Sequence, residues 1–423
     1  MHKSTRGFSL LVNFYFLVKK MSSENAILLG KSDNGRPLYS EGYQHILLLA
    51  PHGSGRGVCF VLPTLLTFQE SCIVHDIKLE NYELTSGYRA SIGHKIFVWN
   101  PLGEKNKTHR YNPLDFISED PEKKINDIQK ISDLLIKKNS GSKALFTALV
   151  LYLCADTSKI RSLGEIARML QTDLVQELSD GINKVKDSIY HLGYQNIKYF
   201  LKKDMQEQKA IIQELNNCLY PWTNPLIDYA TSQSDFDIAE LKTRKITIYV
   251  GVNPFDIDKL QPLMQLFYNH AAERLMTTAR SLGHGENGGV CLFMDEFCSI
   301  GKLDIFVSCL PYFSGYKIKL FFISSDVYKI EKIYGEDDAQ SIISDCTFKV
   351  AFAANDCKSA NQISSICLDR KKNIELMSWQ QIMNLPSDSQ VILMDKEQPV
   401  ISKKLFYYED ENMKKKLIAP APL

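Results

Sequence analysis

The chain has 423 residues, enough for two or three domains and at least one sizeable core. Apolar residues make up 44% and charged residues 23%, the balance of an ordinary soluble globular protein. Fifty Lys+Arg against 49 Asp+Glu leave a net charge of +1, so overall charge argues neither for nor against nucleic acid and only a local patch would do so.

At the N-terminus, Phe8 to Val18 is an apolar run flanked by Lys3, Arg6, Lys19 and Lys20. It is shorter than the roughly 20 residues that span a bilayer, and no small-residue cleavage site follows it. A short buried or frayed segment, an interfacial anchor and the remnant of a lost membrane span are all open, as is a start at Met21. Residues 1–25 are set apart on this ground. The ten cysteines are scattered with no C-x-x-C pair, as expected for reduced thiols in a cytoplasmic protein.

From residue 43 the pattern is α/β. HILLLAP reads as a strand, GVCFVLPTLLTF as a helix, SCIVHDIK as a second strand and IGHKIFVWNP as a third. Strands separated by helix-length segments imply a parallel sheet. Near residue 118 the pattern turns helical, with Ser118 and Asp120 as caps and Pro121 at a first helical position. KALFTALVLYLCA reads as a buried helix and QNIKYFLKKDMQEQKAIIQEL as one long polar helix. YPWTNP reads as a return linker. The α/β pattern resumes with KITIYVGV, a helix from DKLQPLMQLFYNHAAERLMTTA, and the strands VCLFMDEF, KLFFISSD and TFKVAFAAND. QVILMD and VISKKLFYYED read as a hairpin, and MKKKLIAPAPL as a disordered tail. The expected division is 26–119 and 231–409 as two halves of one nucleotide-binding domain, 120–230 as an inserted all-helical domain, and 410–423 as the tail.

Two motifs carry chemistry. In LLLAPHGSGRGVCFVLP, residues Gly53, Ser54, Gly55, Arg56, Gly57 and Val58 lie between a strand and a helix. Glycines there let backbone N–H groups face an anion at a helix N-terminus. The phosphate-loop consensus G-x-x-x-x-G-K-[ST] is matched only in part, because Arg56 stands for lysine and Gly57 for the hydroxyl residue. A tight turn with no ligand is the competing reading. In VCLFMDEF, Asp295 ends an apolar strand where a carboxylate can hold Mg²⁺. Glu296 follows, placed to act as general base toward a water. Two solvated acids at a strand end is the bland alternative, but the loop and the acids occur in the order a nucleotide site needs. The 239 residues from Arg56 to Asp295 are long for one RecA-like core, and the helical insertion accounts for the excess. Asp76, Lys78 and Glu80 end a strand on the same sheet edge, as turn formers or beside phosphates. His52 and His75 flank the site without metal-ligand spacing.

GSGRGVCFVLPTLL, DIKLENYELTSGYR, RYNPLDFI and VCLFMDEFCSIGKL together resemble type IV secretion coupling proteins of the TraG/VirD kind, over roughly residues 26–408. The resemblance implies an α/β, RecA-like P-loop NTPase core with a mostly parallel central sheet and an inserted all-helical domain. It implies ATP and Mg²⁺ as ligands and a hexameric homo-oligomer at the cytoplasmic face of the bacterial inner membrane. Its partners would be inner-membrane proteins of the secretion channel and secreted protein or relaxase–DNA substrates, with possible DNA contact. It places phosphates on residues 53–58, Mg²⁺ on Asp295, the attacking water on Glu296 and a γ-phosphate sensor at Ser325. The sequence departs from the family at Arg56, at Ser325 where glutamine is usual, and before KLFFIS, where Lys317 and Lys319 stand in place of an arginine finger. Three functions remain in play: a motor hydrolysing ATP, a degenerate paralogue acting as a structural or adaptor subunit, and a soluble DNA-pumping motor.

Overall fold

The computed structural model describes residues 25–423 apart from 41, 138, 284–287, 370–373 and 395–396. The apolar run at 8–18 lies outside the described residues. The chain divides into two compact units. One holds residues up to Phe97, Ile238–Val250 and Ala272–Pro422; the other holds Val98–Asp237 and Gly251–Ala271.

The first unit is built on an eleven-stranded sheet. Its strands are β1 (Ile27–Lys31), β2 (Pro37–Ser40), β3 (Ile46–Leu49), β4 (Ser71–Ile77), β5 (Lys95–Trp99), β6 (Ile246–Val252), β7 (Val290–Met294), β8 (Ile318–Ser324), β9 (Phe348–Ala351), β10 (Ser389–Met394) and β11 (Val400–Lys403). Their order is β2-β1-β11-β10-β9-β3-β8-β7-β4-β6-β5. The centre is parallel: Leu48 lies opposite Ile323, Leu292 opposite Leu320, and Ile73 opposite Leu292. Every residue of β3, β7 and β8 is buried, which is why β3 and β7 are continuously apolar rather than alternating and β8 is apolar apart from Lys319 and its terminal Ser324. Parallel pairing brings the C-terminal ends of β3, β8 and β7 to one edge, with β8 between the other two.

The β10–β11 pair is the expected antiparallel hairpin, with Val391 opposite Ile401, though β11 ends at Lys403. The antiparallel β1–β2 hairpin adds a feature that the sequence reading left without an element. Its turn is S-D-N-G-R, with Gly35 at φ 75° and Ser32 N–H donating to Arg36 O at 2.8 Å. An Asn-Gly pair between short apolar runs is a hairpin signal that would have located it.

Two helices of this unit matter for the site. A π-helical turn, Gly57–Val61, runs on into an α-helical turn, Leu62–Leu65; together they form α1. Helix α2 is Glu80–Ser91. The C-terminal tail is not free chain, contrary to expectation. After a helical turn at Glu411–Lys414 it packs on α2, where Ala421 N–H donates to Ser86 Oγ at 3.1 Å and Tyr82 Oη donates to Ala421 O at 2.6 Å. Gly87 makes the approach possible, because a Cβ there would meet Ala419 O at 2.0 Å.

The second unit is mostly helical. Its helices Pro121–Leu135, Ser140–Ala155, Leu163–Leu170, Leu174–Gly181, His191–Leu201, Met205–Cys218 and Pro225–Ala230 begin mainly at Asp, Asn or Ser caps. The single long polar helix expected over QNIKYFLKKDMQEQKAIIQEL is two. Asp204 caps the second by accepting from Glu207 N–H at 2.9 Å, and D-x-x-E is the signal that separates them. Within YPWTNP, Tyr220–Thr223 is a 3₁₀ turn, and Trp222 is buried.

Candidate functional site

The loop after β3 needs its glycines. Gly53 and Gly55 sit at φ 76° and 84°, where a side chain would strain the backbone. Nothing lies within 4 Å of where a Cβ would stand on Gly53 or Gly57, so the loop rim is open. Ser54 does not reach outward; its Oγ donates to Pro51 O at 2.6 Å and closes the turn. Buried Lys404 donates to Ser54 O at 3.2 Å. In a planar trans peptide the Gly55 N–H then points to the opposite side. Val58 lies in the first turn of α1, beside Gly55. No side chain caps α1 and no acid stands in its first turn, leaving the positive end of the helix uncompensated.

Arg56 turns inward. Its Nη2 donates to Glu296 Oε1, its Nε lies 3.5 Å from Asp295 Oδ1, and its Nη1 donates to Ala50 O at 3.3 Å. One guanidinium therefore bridges the strand end of β3 and both acids after β7, the fork geometry that arginine has and lysine lacks. Glu296 is 7% exposed and holds a left-handed backbone at φ 52°. Such a conformation is strained for a non-glycine residue and persists only where the surroundings enforce it.

Burial pushes Asp295 above the usual carboxylate range, against the opposing charge of Arg56. For Glu296 burial also acts upward, but the hydrogen bond from Lys329 and the charge of Arg56 outweigh it and hold the carboxyl below its ordinary value. Glu296 is thus an anion held between two cations, Arg56 on Oε1 and Lys329 Nζ on Oε2 at 2.8 Å, with the exposed His52 ring near Oε1 at 3.4 Å.

The structure brings Arg56, Asp295 and Glu296 into contact from three places in the sequence. Ser325, at the tip of β8, lies on the same edge, but its Oγ donates to Asp326 Oδ2 at 2.8 Å. Lys319 is buried within β8 and donates to Asn25 O at 3.1 Å, so it is not available as a finger toward a neighbouring subunit. Asp76 is engaged at the start of α2: Oδ1 accepts from Asn81 N–H at 3.1 Å and Oδ2 from Tyr82 N–H at 2.7 Å. His75 is buried, with Nε2 3.3 Å from Ser299 Oγ.

Lys329 escaped the sequence reading. Asp326 caps the helix α3 (Val327–Tyr334), accepting from Lys329 N–H at 2.7 Å. That cap places Lys329 in the first turn after the tip of β8, facing Glu296. The S-D-V-Y-K order carried this signal, because an Asp after a strand marks where the next helix begins.

The donor set fits a magnesium-bound nucleotide. Asp295 Oδ1 is buried and accepts no hydrogen bond, which leaves a carboxylate oxygen for a hard cation or its water shell. Among the described residues no group of three or more His, Cys, Asp or Glu forms a metal cage. One carboxylate with substrate phosphates and waters is the usual way to hold Mg²⁺.

The sequence matches the family model described as Type IV secretory system Conjugative DNA transfer over residues 16–367 and 369–423. The chain belongs to this conjugative DNA transfer family. Among relatives of the family, VirD4 of Rhizobium radiobacter is 28% identical over 424 residues, covering 90% of this chain and 60% of VirD4. Conjugal transfer protein TraG of Escherichia coli is 26% identical over 365 residues, covering 79% of this chain and 56% of TraG. The chain thus spans about three-fifths of the length of these relatives. Solved structures share the fold. The bacterial conjugative coupling protein TrwBdeltaN70, in its trigonal form with sulphate, has a TM-score of 0.69 at 13% identity, covering 94% of this chain and 93% of that one. TrwB in complex with ADP and Mg²⁺ has a TM-score of 0.66 at 13% identity, covering 92% and 90%. The RecA-like core expected from the sequence is the fold found.

Proposed function

We propose that this chain is the nucleotide-driven core of a coupling motor that recruits substrates and delivers them to a type IV secretion channel, hydrolysing ATP. The observation that carries the reading is the meeting of Arg56, Asp295 and Glu296 at one edge of a parallel sheet, beneath an uncapped helix start. The loop N–H groups and α1 would receive phosphates, with Arg56 contributing charge. Asp295 would hold Mg²⁺, which supplies charge neutralisation at the phosphates when bound. Glu296 would take the proton from the attacking water. Support also comes from TrwB, whose solved structures include complexes with ADP and Mg²⁺ and with a non-hydrolysable ATP analogue.

The remaining expectations from the family are part of the same proposal. The chain would work as a homo-hexamer on the cytoplasmic face of the inner membrane, beside channel proteins, on protein or relaxase–DNA substrates. Residues 120–230 would be the inserted helical module of that motor. No helix among the described residues is long and apolar enough to cross a membrane.

Glu296→Gln tests the reading. The purified chain is expected to turn over Mg²⁺-ATP, and the variant to lose at least about 10²-fold of that rate while still binding nucleotide. Equal rates in the two proteins sink the motor. A second reading, an adaptor that binds nucleotide without hydrolysing it, is favoured by one observation: both oxygens of Glu296 are engaged by cations. Nucleotide binding with no turnover above the Glu296→Gln background would establish it.

A further inference from the structure

The two cations on Glu296 are not equivalent. Arg56 is held by Ala50 O and Asp295 as well as by Glu296, and its side chain is 15% exposed. Lys329 has Glu296 as its charged partner, and its side chain is 36% exposed. Lysine is a compact charge on a flexible stem with three donors, so it can exchange one anion for another without losing all its hydrogen bonds. Each oxygen of Glu296 accepts from a cation, and a further site opens for a water when one of them leaves. Lys329 is the one free to do so. Ser325, at the tip of β8, cannot perform the exchange. Its short side chain is already bonded to Asp326.

We propose that Lys329 is the γ-phosphate sensor of this site. Without nucleotide it neutralises Glu296. A terminal phosphate, the stronger anion, draws it away and leaves a Glu296 oxygen free for water. The position is set by β8 lying between β3 and β7 and by the Asp326 cap, which together aim the first turn of α3 at Glu296. This rests on the reading of the site as an ATP site.

The test is titration calorimetry of the full chain with Mg²⁺-ADPNP and with Mg²⁺-ADP. The wild type is expected to prefer ADPNP. Lys329→Met should cut that preference by about tenfold or more, the loss of one charge-assisted hydrogen bond, with ADP affinity changed less than about twofold. Lys329→Arg should restore most of it. Retained ADP affinity also certifies that the variant is folded. A Lys329→Met chain with the wild-type ratio of the two affinities overturns the sensor and leaves the ATP site standing. Equal loss of both affinities also overturns it, because Lys329 would then hold nucleotide generally. A wild type that binds neither nucleotide removes the functional reading and the sensor with it.

Discussion

Replacing Arg56 by lysine separates charge from fork geometry. Arg56 makes one hydrogen bond to a main-chain carbonyl and pairs with two carboxylates, at 3.3 Å to Ala50 O and 3.5 Å to Asp295 Oδ1, with a closer bond to Glu296. A lysine ammonium would keep one of these anions and lose the bridge. The carbonyl bond contributes about 0.5–1.5 kcal/mol, and losing one ion pair of this burial adds about 1 kcal/mol. Nucleotide-free Arg56→Lys protein should therefore be less stable by roughly 1–3 kcal/mol. The same contacts restrain the acids before reaction. Arg56 tied to both acids follows charge onto the phosphates poorly, so a lysine with a weaker tie raises kcat where that contact strengthens in the transition state. A tie weakened by about 1–2 kcal/mol corresponds to a turnover gain of roughly 5–30-fold. The assay is Mg²⁺-ATP turnover against a Glu296→Gln background, with thermal unfolding of the nucleotide-free chain alongside. A fall in turnover at unchanged ADPNP affinity would refute the reasoning, since Arg56 would then perform transition-state work that lysine cannot.

Two further predictions concern stability. Gly87→Ala puts a methyl group against Ala419 O and should detach the tail from α2, read as faster proteolysis after Lys414–Lys416 with ATP-site binding intact; an unchanged digestion pattern would contradict the packing. On acidification, three buried histidines should weaken the fold. Burial lowers His45 and His75 to about 4 and His94 to about 3, so their contribution is present above pH 6.5 and lost as pH falls toward those values. His45 shows why: Nε2 lies 2.9 Å from Leu310 O while Nδ1 accepts from Leu320 N–H at 3.1 Å, a pair of bonds that only one neutral tautomer makes. Asp76, raised to about 7 by burial, works in the opposite direction; its contribution is present below 3.8 and lost as pH rises to about 7. Asp76→Asn removes that opposing group, so the unfolding free energy from denaturant titrations between pH 7 and 5 should fall more steeply in the variant, by up to about 1.4 kcal/mol per pH unit. Parallel pH slopes in the two proteins would show that Asp76 does not titrate there.

What the sequence revealed follows burial. β3 and β7 are buried throughout and so read as unbroken apolar runs, β8 is broken only by Lys319 before its terminal serine, and their order in the chain sufficed to pair Arg56 with Asp295 and Glu296. Elements defined by single polar residues were less visible. Asp204 divides one apparent helix into two, and the β1–β2 hairpin depends on a turn between strands of five and four residues. Packing on a missing side chain was invisible: nothing marks Gly87 as a docking point until Ala419 is known to lie against it. Lys329 belongs to the same class. Its partner is 33 residues away, and the two meet only because β8 lies beside β7.

That adjacency changes how the departures from the family are understood. Taken singly, Arg56 in the loop and Ser325 at the strand tip look like two independent losses. In the structure, Arg56 and Lys329 grip the two oxygens of the same carboxylate from opposite sides, and Ser325 is bonded into the cap that positions Lys329. A site decaying at random would leave Glu296, 7% exposed and backbone-strained, without partners, which is costly for a buried carboxylate. Here each change is met by a contact. Arginine reaches past where a shorter lysine would stop, and the lysine on α3 answers on the other oxygen. Arg56, Lys329, Asp295 and Glu296 form one linked arrangement of two basic and two acidic residues, so Arg56→Lys and Lys329→Met should not behave additively. With Arg56 shortened, Lys329 carries more of the neutralisation of Glu296, and its removal should then change ADPNP affinity by more than it does in the wild type. A double-mutant cycle on ADPNP affinity measures that coupling, and a value within about 0.3–0.5 kcal/mol of zero would mean two separate events after all.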